Sequence, residues 1–277
     1  MSLMLKLLMS TAAVTIAVSA NTQPDNKQLL KYVKKNIVKN PQVEAKGVSI
    51  VETKTIDNLP GWTVLLTTMD LMYKGKELHA PEIMFVKDGL ITGHLVDLKT
   101  GNDYRDDIKP TVPESMYNGA HLLFGNQDAK HKILIFSDPL CPFCQEVVPE
   151  IFEAAQKNPE NIAVYYYHLP LLSLHPVSGT LTRIMHVAQE EGKKDIVVKM
   201  YGLQIDPREN NVKKVLEAVK KQLGYEITEA QINDEKVKKA MNADEENAGR
   251  MMVTGTPTVY VDGEWDKTRE KYKQFIK

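Results

Sequence analysis

The stretch that decides the fold is IFSDPLCPFCQEVVPEI, residues 135–151. It follows directly on residues 132–136, a compact apolar run with the length and composition of a buried strand. After the strand, apolar positions share one face of a predicted helix, at Val147, Val148, Ile151, Phe152 and Ala155. Cys141 and Cys144, the only cysteines in the chain, lie between the two elements. The segment therefore predicts a strand, a loop and a helix that carries a CxxC pair at its N-terminus.

A cysteine in the first turn of a helix is placed to work as a thiolate, the form that attacks disulfides. Free backbone N–H groups and the positive end of the helix dipole stabilise a sulfur anion there. We expect Cys141, at the start of the helix, to be the exposed nucleophile and Cys144, one turn further in, to resolve the mixed disulfide. Pro142 suits the first helical position, where an N–H would have no partner. Pro142 and Phe143 are expected to set the stability of the thiolate.

Taken alone, the CxxC pair also fits half of a zinc site or an inert disulfide. A closed zinc site needs two further ligands, and the nearest candidates, His168 and His175, do not have a familiar ligand spacing. We therefore predict no metal, and no bound cofactor is needed because electrons pass by exchange with another protein. A non-enzymatic client-binding or metal-handling protein remains the alternative, and reduction of sulfenic acids on client cysteines is a second enzymatic possibility.

The length of 277 residues favours two domains. Apolar residues make up 43% of the chain and charged residues 26%, as in soluble globular proteins. The 35 basic and 36 acidic residues almost cancel, so there is no electrostatic reason to expect nucleic acid or an anionic membrane as a partner.

Residues 1–20 are typical of a secretory signal, with Lys6, an apolar run and small residues up to Ala20. A membrane anchor is the alternative, but the apolar run is shorter than the roughly 20 residues that span a bilayer. We predict cleavage after about Ala20 and an exported protein in a compartment that permits disulfides, the periplasm.

Residues 21–101 are predicted to form a small N-terminal domain. A helix over 27–39 precedes strands from Gly47 to 56, over 62–73, 78–86 and 90–98, with hairpin turns at Lys74-Gly75 and Asp88-Gly89. A helix and a short antiparallel meander leave one face of the sheet needing cover. This is a reason to expect dimerisation.

Residues 102–125 read as a linker with a helix over 114–124. Residues 126–277 are predicted to alternate strands and helices in an α/β arrangement. After the CxxC helix we expect a strand over 162–168, a helical insertion over about 176–248, a strand over 258–261 and a terminal helix over 267–276.

The CxxC segment resembles the active-site segment of the periplasmic thiol:disulfide interchange proteins of the DsbC and DsbG type. GTPTVYVDG, residues 255–263, resembles the segment that carries the cis-proline of that family. The resemblance implies an α/β thioredoxin-like catalytic domain. It also implies that a cis Thr256-Pro257 bond packs against Cys141 and Cys144 and shapes the groove in which substrates dock.

The order of elements in the N-terminal region also resembles the DsbC and DsbG dimerisation domain, best in EIMFVKDGLITGHLVDL, residues 82–98. The complete expectation is a small α+β (helix plus antiparallel sheet) dimerisation domain before the catalytic domain. HLPLLSLHPVSGT, residues 168–180, is closer to the helical insertion of DsbA-type oxidants. The resemblance implies a homodimeric periplasmic oxidoreductase that forms, reduces or isomerises disulfides in exported client proteins with cysteines. It also implies a membrane or soluble redox partner protein, and it leaves the direction of electron flow open.

Overall fold

The computed structural model describes residues 23–276. The described residues divide into two compact units, the first ending at Leu95 and the second beginning at Val96. The predicted export signal, residues 1–20, lies outside the described residues, so its prediction stays as it was. Between residues 23 and 276 there is no helix that is both long enough and apolar enough to cross a membrane.

The first unit is a helix packed on a four-stranded antiparallel sheet of order β1-β2-β3-β4. Helix α1 (Asn26–Tyr32) starts in a capping box between Asp25 and Gln28 and continues as a π-helical turn, Val33–Ile37. Leu29 and Val33 are fully buried against the sheet. The strands are β1 (Val43–Thr55), β2 (Thr63–Tyr73), β3 (Lys76–Lys87) and β4 (Leu90–Thr92).

Both predicted hairpin turns are confirmed. Lys74 and Gly75, and likewise Asp88 and Gly89, have positive φ angles, as two-residue turns of this kind require. Two strand boundaries differ from the prediction. β1 begins at Val43 because it pairs with β2 as far as Tyr73, and the predicted strand over 90–98 stops at Thr92, where its pairing with β3 ends.

The second unit contains a mixed five-stranded sheet of order β5-β7-β6-β8-β9. Central strand β6 runs parallel to β7 and antiparallel to β8. The strands are β5 (Leu122–Phe124), β6 (His131–Ser137), β7 (Ile162–His168), β8 (Thr258–Val261) and β9 (Glu264–Trp265). The helices are α2 (Pro142–Lys157), α3 (Ser178–Glu190), α4 (Lys194–Lys199), α5 (Val212–Leu223), α6 (Glu229–Ile232) and α7 (Glu235–Arg250).

The helix predicted over 114–124 is wrong. Residues 102–125 instead carry two short 3-10 turns, Tyr104–Asp107 and Glu114–Met116, and then strand β5. β5 pairs with β7 and buries its apolar residues in the sheet, which outweighs their helical spacing. Gly125 ends β5 at φ +79° and lies so close to β7 that a Cβ would be 1.9 Å from the Ile162 carbonyl oxygen.

The helix predicted over 267–276 is also wrong. The chain instead makes strand β9 and a short 3-10 helix, Lys271–Phe275. Between them Asp266 is fully buried, and its carboxylate accepts hydrogen bonds from the backbone N–H groups of Thr268 and Lys271. This local side-chain acceptor holds the backbone in a turn where lysine-rich sequence favours a helix.

The sheet brings two loops that are far apart in sequence to one edge. β6 ends at Ser137 and leads into the CxxC loop, and β8 begins at Thr258 directly after the Thr256-Pro257 turn. Because Phe136 pairs with Thr258, the two loops leave the sheet side by side. The fold therefore places the candidate site at this edge, at the N-terminus of α2.

Candidate active site

Cys141 is the N-cap residue of helix α2, with the extended backbone angles of that position, and Pro142 is the first helical residue. Both cysteines are free thiols. Cys144 is fully buried, Cys141 is 5% exposed and Phe143 between them is 62% exposed. The order of burial agrees with the prediction, but Cys141 is less open than expected.

The turn at Thr256-Pro257 accounts for this low exposure. Its peptide bond is cis, as the resemblance implies. The Cys141 thiol donates a hydrogen bond of 3.3 Å to the Thr256 carbonyl oxygen. Among the described residues, the buried Thr256 hydroxyl has no hydrogen-bond partner of ordinary geometry, and its effect on both sulfurs shows that it lies close to them. The structure thus brings four predicted site residues together, Cys141, Cys144, Thr256 and Pro257.

The surroundings lower the pKa of Cys141 to about 5. The main cause is a hydrogen bond from the Cys144 side chain, helped by the Thr256 side chain and the backbone N–H groups of Cys144 and Phe143, while burial acts in the opposite direction. The N–H contribution is the helix N-terminus effect expected from the sequence. At neutral pH Cys141 is therefore a thiolate.

Cys144 behaves in the opposite way. Burial raises its pKa far above the ordinary value of a thiol, and the neighbouring Cys141 raises it further. Because the two thiols share one hydrogen bond, ionisation of Cys141 keeps the proton on Cys144. The site therefore contains one nucleophile and one protonated partner directly behind it.

Asp138 holds the CxxC loop in place from a fully buried position. Its carboxylate accepts hydrogen bonds from Leu140 N–H at 2.8 Å, Leu171 N–H at 2.7 Å and the Ser178 hydroxyl at 2.7 Å. His175 Nδ1 lies 3.2 Å from it. From the sequence we read Asp138 as a helix cap, which is wrong because Cys141 occupies that position. Asp138 joins the CxxC loop to the segment that leads into α3.

The two histidines considered as zinc ligands lie apart from each other. His175 faces Asp138, whereas the ring of His168 packs against Tyr166 and His186. Burial and the nearby His186 lower the pKa of His168 well below its usual value. No group of three or more His, Cys, Asp or Glu side chains suited to a metal occurs between residues 23 and 276.

Sequence reasoning missed a set of buried hydroxyl groups behind Cys144. Ser137, Tyr166 and Tyr201 are linked by hydrogen bonds, and the Ser137 side chain also acts on Cys144. Ser137 and Tyr201 are 64 residues apart, so no local pattern indicates the contact. A serine at the end of an apolar strand is the only signal that the sequence offered.

A sequence model of the thioredoxin family matches residues 117–277. This match includes the CxxC segment, the helical insertion and the Thr256-Pro257 turn. Among curated proteins, the chain is 24% identical over 165 residues to a Na(+)/H(+) antiporter NhaA 1 of Mycolicibacterium gilvum. The matched region is 57% of this chain, and the chain spans only 26% of the length of that relative.

Three solved structures are similar to the chain. BdbD from Bacillus subtilis is 17% identical with a TM-score of 0.47, and the match covers 60% of this chain and 92% of that one. ScsC from Proteus mirabilis is 20% identical with a TM-score of 0.47, covering 58% and 72%. A periplasmic thioredoxin-like protein from Salmonella enterica serovar Typhimurium is 18% identical with a TM-score of 0.46, covering 60% and 95%. Because these identities and TM-scores are low, the family assignment rests on the family match alone.

Proposed function

The chain belongs to the thioredoxin family, as the match over residues 117–277 shows, and from this premise we propose that it is a thiol:disulfide oxidoreductase acting through Cys141. The observation that carries the proposal is the pair of opposed thiols. Cys141 is ionised at neutral pH, and Cys144 is buried behind it with its proton. A nucleophilic thiolate and an adjacent resolving thiol are the two groups that exchange requires.

The proposed reaction begins with attack of the Cys141 thiolate on a client disulfide. A bond forms between Cys141 Sγ and one client sulfur, the client S–S bond breaks, and the second client sulfur leaves as a thiolate. Cys144 then attacks Cys141 Sγ, which forms the Cys141–Cys144 disulfide and releases the first client sulfur. The client gains two electrons and the protein loses two. Running the same steps backwards oxidises a client dithiol, so the potential of the pair decides the direction.

Exposed apolar side chains support a polypeptide substrate. Phe143, between the cysteines, and Leu172 and Leu174, on the loop that Asp138 holds through Leu171, are 62%, 55% and 64% exposed. Large apolar side chains at such exposure next to a reactive group favour contact with unfolded or partly folded chains. We propose exported proteins with cysteines as the clients and a membrane or soluble redox protein as the partner that resets the pair.

The finer parts of the proposal come from the resemblance to the DsbC and DsbG type. We propose that the protein works in the periplasm and that the first unit, a helix on an antiparallel sheet, serves dimerisation. In a homodimer, two CxxC sites would hold one misfolded client during reshuffling. The present resemblance of residues 168–180 to DsbA-type oxidants keeps oxidation and isomerisation both within the proposed function.

Equilibration of the protein in a glutathione series tests the proposal. Free thiols are counted by alkylation and mass shift, and Cys141→Ser and Cys144→Ser provide matched controls that cannot form the pair. We expect a reversible two-electron transition between about −120 and −230 mV, the range of exchange catalysts. A pair that stays oxidised below about −300 mV would instead be a structural disulfide. A pair that never oxidises, with metal that copurifies and is lost in Cys141→Ser, would support the ligand-pair alternative.

A further inference from the structure

Three hydroxyl groups form a closed polar cluster behind the resolving cysteine. Ser137 is the last residue of β6, Tyr166 lies on β7, and Tyr201 follows α4. Ser137 Oγ lies 2.7 Å from the Tyr201 hydroxyl, which lies 2.8 Å from the Tyr166 hydroxyl. None of the three residues is more than 5% exposed. We call them the hydroxyl cluster.

Counting hydrogens indicates what the cluster offers to its surroundings. Three hydroxyl groups have three hydrogens, and their two mutual hydrogen bonds use two of them. Buried hydroxyl hydrogens are rarely left without an acceptor. Within the described part of the chain, the cluster has no other hydrogen-bond acceptor than the sulfur of Cys144, which Ser137 contacts. One donated hydrogen is therefore directed at Cys144 when Tyr166 donates to Tyr201 and Tyr201 donates to Ser137.

Cys144 needs such a donor because it must carry negative charge twice in an exchange cycle. It attacks as a thiolate during resolution, and it leaves as a thiolate when a client opens the Cys141–Cys144 disulfide. Its burial opposes both steps, since a buried anion without a hydrogen bond is costly. The nearest buried carboxylate, Asp138, is already occupied by three donors.

We propose that Ser137, oriented by Tyr201 and Tyr166, donates a hydrogen bond to the Cys144 thiolate and so sets the rate at which Cys144 attacks or leaves. The proposal rests on the proposed exchange function and adds three positioning residues to it. The hydroxyl cluster gains and loses no proton overall. During resolution the Cys144 proton ends on the departing client sulfur, the Cys141–client bond breaks and the Cys141–Cys144 bond forms.

A dithiobis(nitrobenzoate) reagent separates the step that needs the cluster from the step that does not. Attack of Cys141 releases a first coloured thiolate, and resolution by Cys144 releases a second. Because Ser137 acts on Cys144 and not on Cys141, Ser137→Ala is expected to slow the second release about 10-fold, the effect of one hydrogen bond to a charged group. The first release should change less than about 2-fold. Tyr201→Phe is expected to slow the second release about 3-fold, since Ser137 keeps its hydroxyl but loses the group that orients it.

Tyr167→Phe is the matched control, because it removes a buried tyrosine hydroxyl from the opposite face of β7, where it donates to the Met116 carbonyl at 2.7 Å. Both releases should keep the unmodified rate in that variant. Equal slowing of the two releases in Ser137→Ala, or no slowing of the second, would overturn the role of the hydroxyl cluster while leaving the exchange function intact. Absence of a rapid first release in the unmodified protein would instead overturn the exchange function itself.

Discussion

Cys144→Ser is expected to accumulate as a mixed disulfide with client proteins and to lose at least about 1000-fold of its turnover. The variant keeps the Cys141 thiolate and the helix N–H groups that stabilise it, but it has no sulfur to resolve the adduct. Serine retains a hydroxyl that can donate to Cys141, so it preserves the main cause of the low pKa of Cys141 better than alanine does. Turnover is followed by reduction of a disulfide-bonded protein, and the adduct by non-reducing electrophoresis.

Cys141→Ser is the matched control for the trapping experiment. It should lose turnover to the same extent but form no adduct, because Cys144 is fully buried and its thiol stays protonated. Peptide mapping of the adduct assigns the linked cysteine. Adducts on Cys144 in the Cys141→Ser variant, at a yield similar to that of Cys144→Ser, would reverse the proposed roles of the two sulfurs.

Asp138→Ala is expected to lower the free energy of unfolding of the second unit by about 3–5 kcal/mol. The carboxylate is fully buried, and its removal leaves two backbone N–H groups and the Ser178 hydroxyl without their acceptor. Each buried donor left in this state costs about 1–3 kcal/mol. The segment that carries Leu172 and Leu174 should loosen together with the CxxC loop.

The stability of the second unit is measured by urea denaturation in a Trp62→Phe background. The chain has two tryptophans, and this change leaves Trp265 of the second unit as the single fluorescent reporter. Asp262→Ala is the control, since its carboxylate also accepts a backbone N–H, from Lys132 at 2.9 Å, but is 46% exposed. It should cost only about 1 kcal/mol. A loss of less than about 1 kcal/mol for Asp138→Ala would contradict the structural role given to it.

The elements that the sequence predicted correctly are those whose signals are local. Strand β7 and the segment around the CxxC pair have long apolar runs or helical spacing, and the hairpin at Asp88-Gly89 has the residues that its turn demands. The CxxC pair and the Thr256-Pro257 turn were identified by motif and resemblance, and the structure places them together. Their catalytic roles stay predictions until the variants above are measured.

The elements that were missed depend on contacts between distant residues. β5 has the spacing of a helix, and only its pairing with β7 makes it a strand. Asp138 lies next to a helix and looks like a cap, but its partners Leu171 and Ser178 are 33 and 40 residues further along. The hydroxyl cluster joins residues from two strands and the helical insertion. In each case tertiary packing decides the role of a residue whose local sequence favours another.

The central claim is that Cys141 is a thiolate at neutral pH, and its alkylation rate as a function of pH tests this most directly. The reduced protein is reacted with iodoacetamide between pH 3 and about 10, and the modified cysteine is identified by peptide mapping. Because the pKa of Cys141 is lowered to about 5, the rate should be flat above about pH 6 and fall with a midpoint near pH 5 as protonation removes the nucleophile. A midpoint near pH 8.5, the value of an ordinary thiol, or a rate that follows Cys144, would contradict the account.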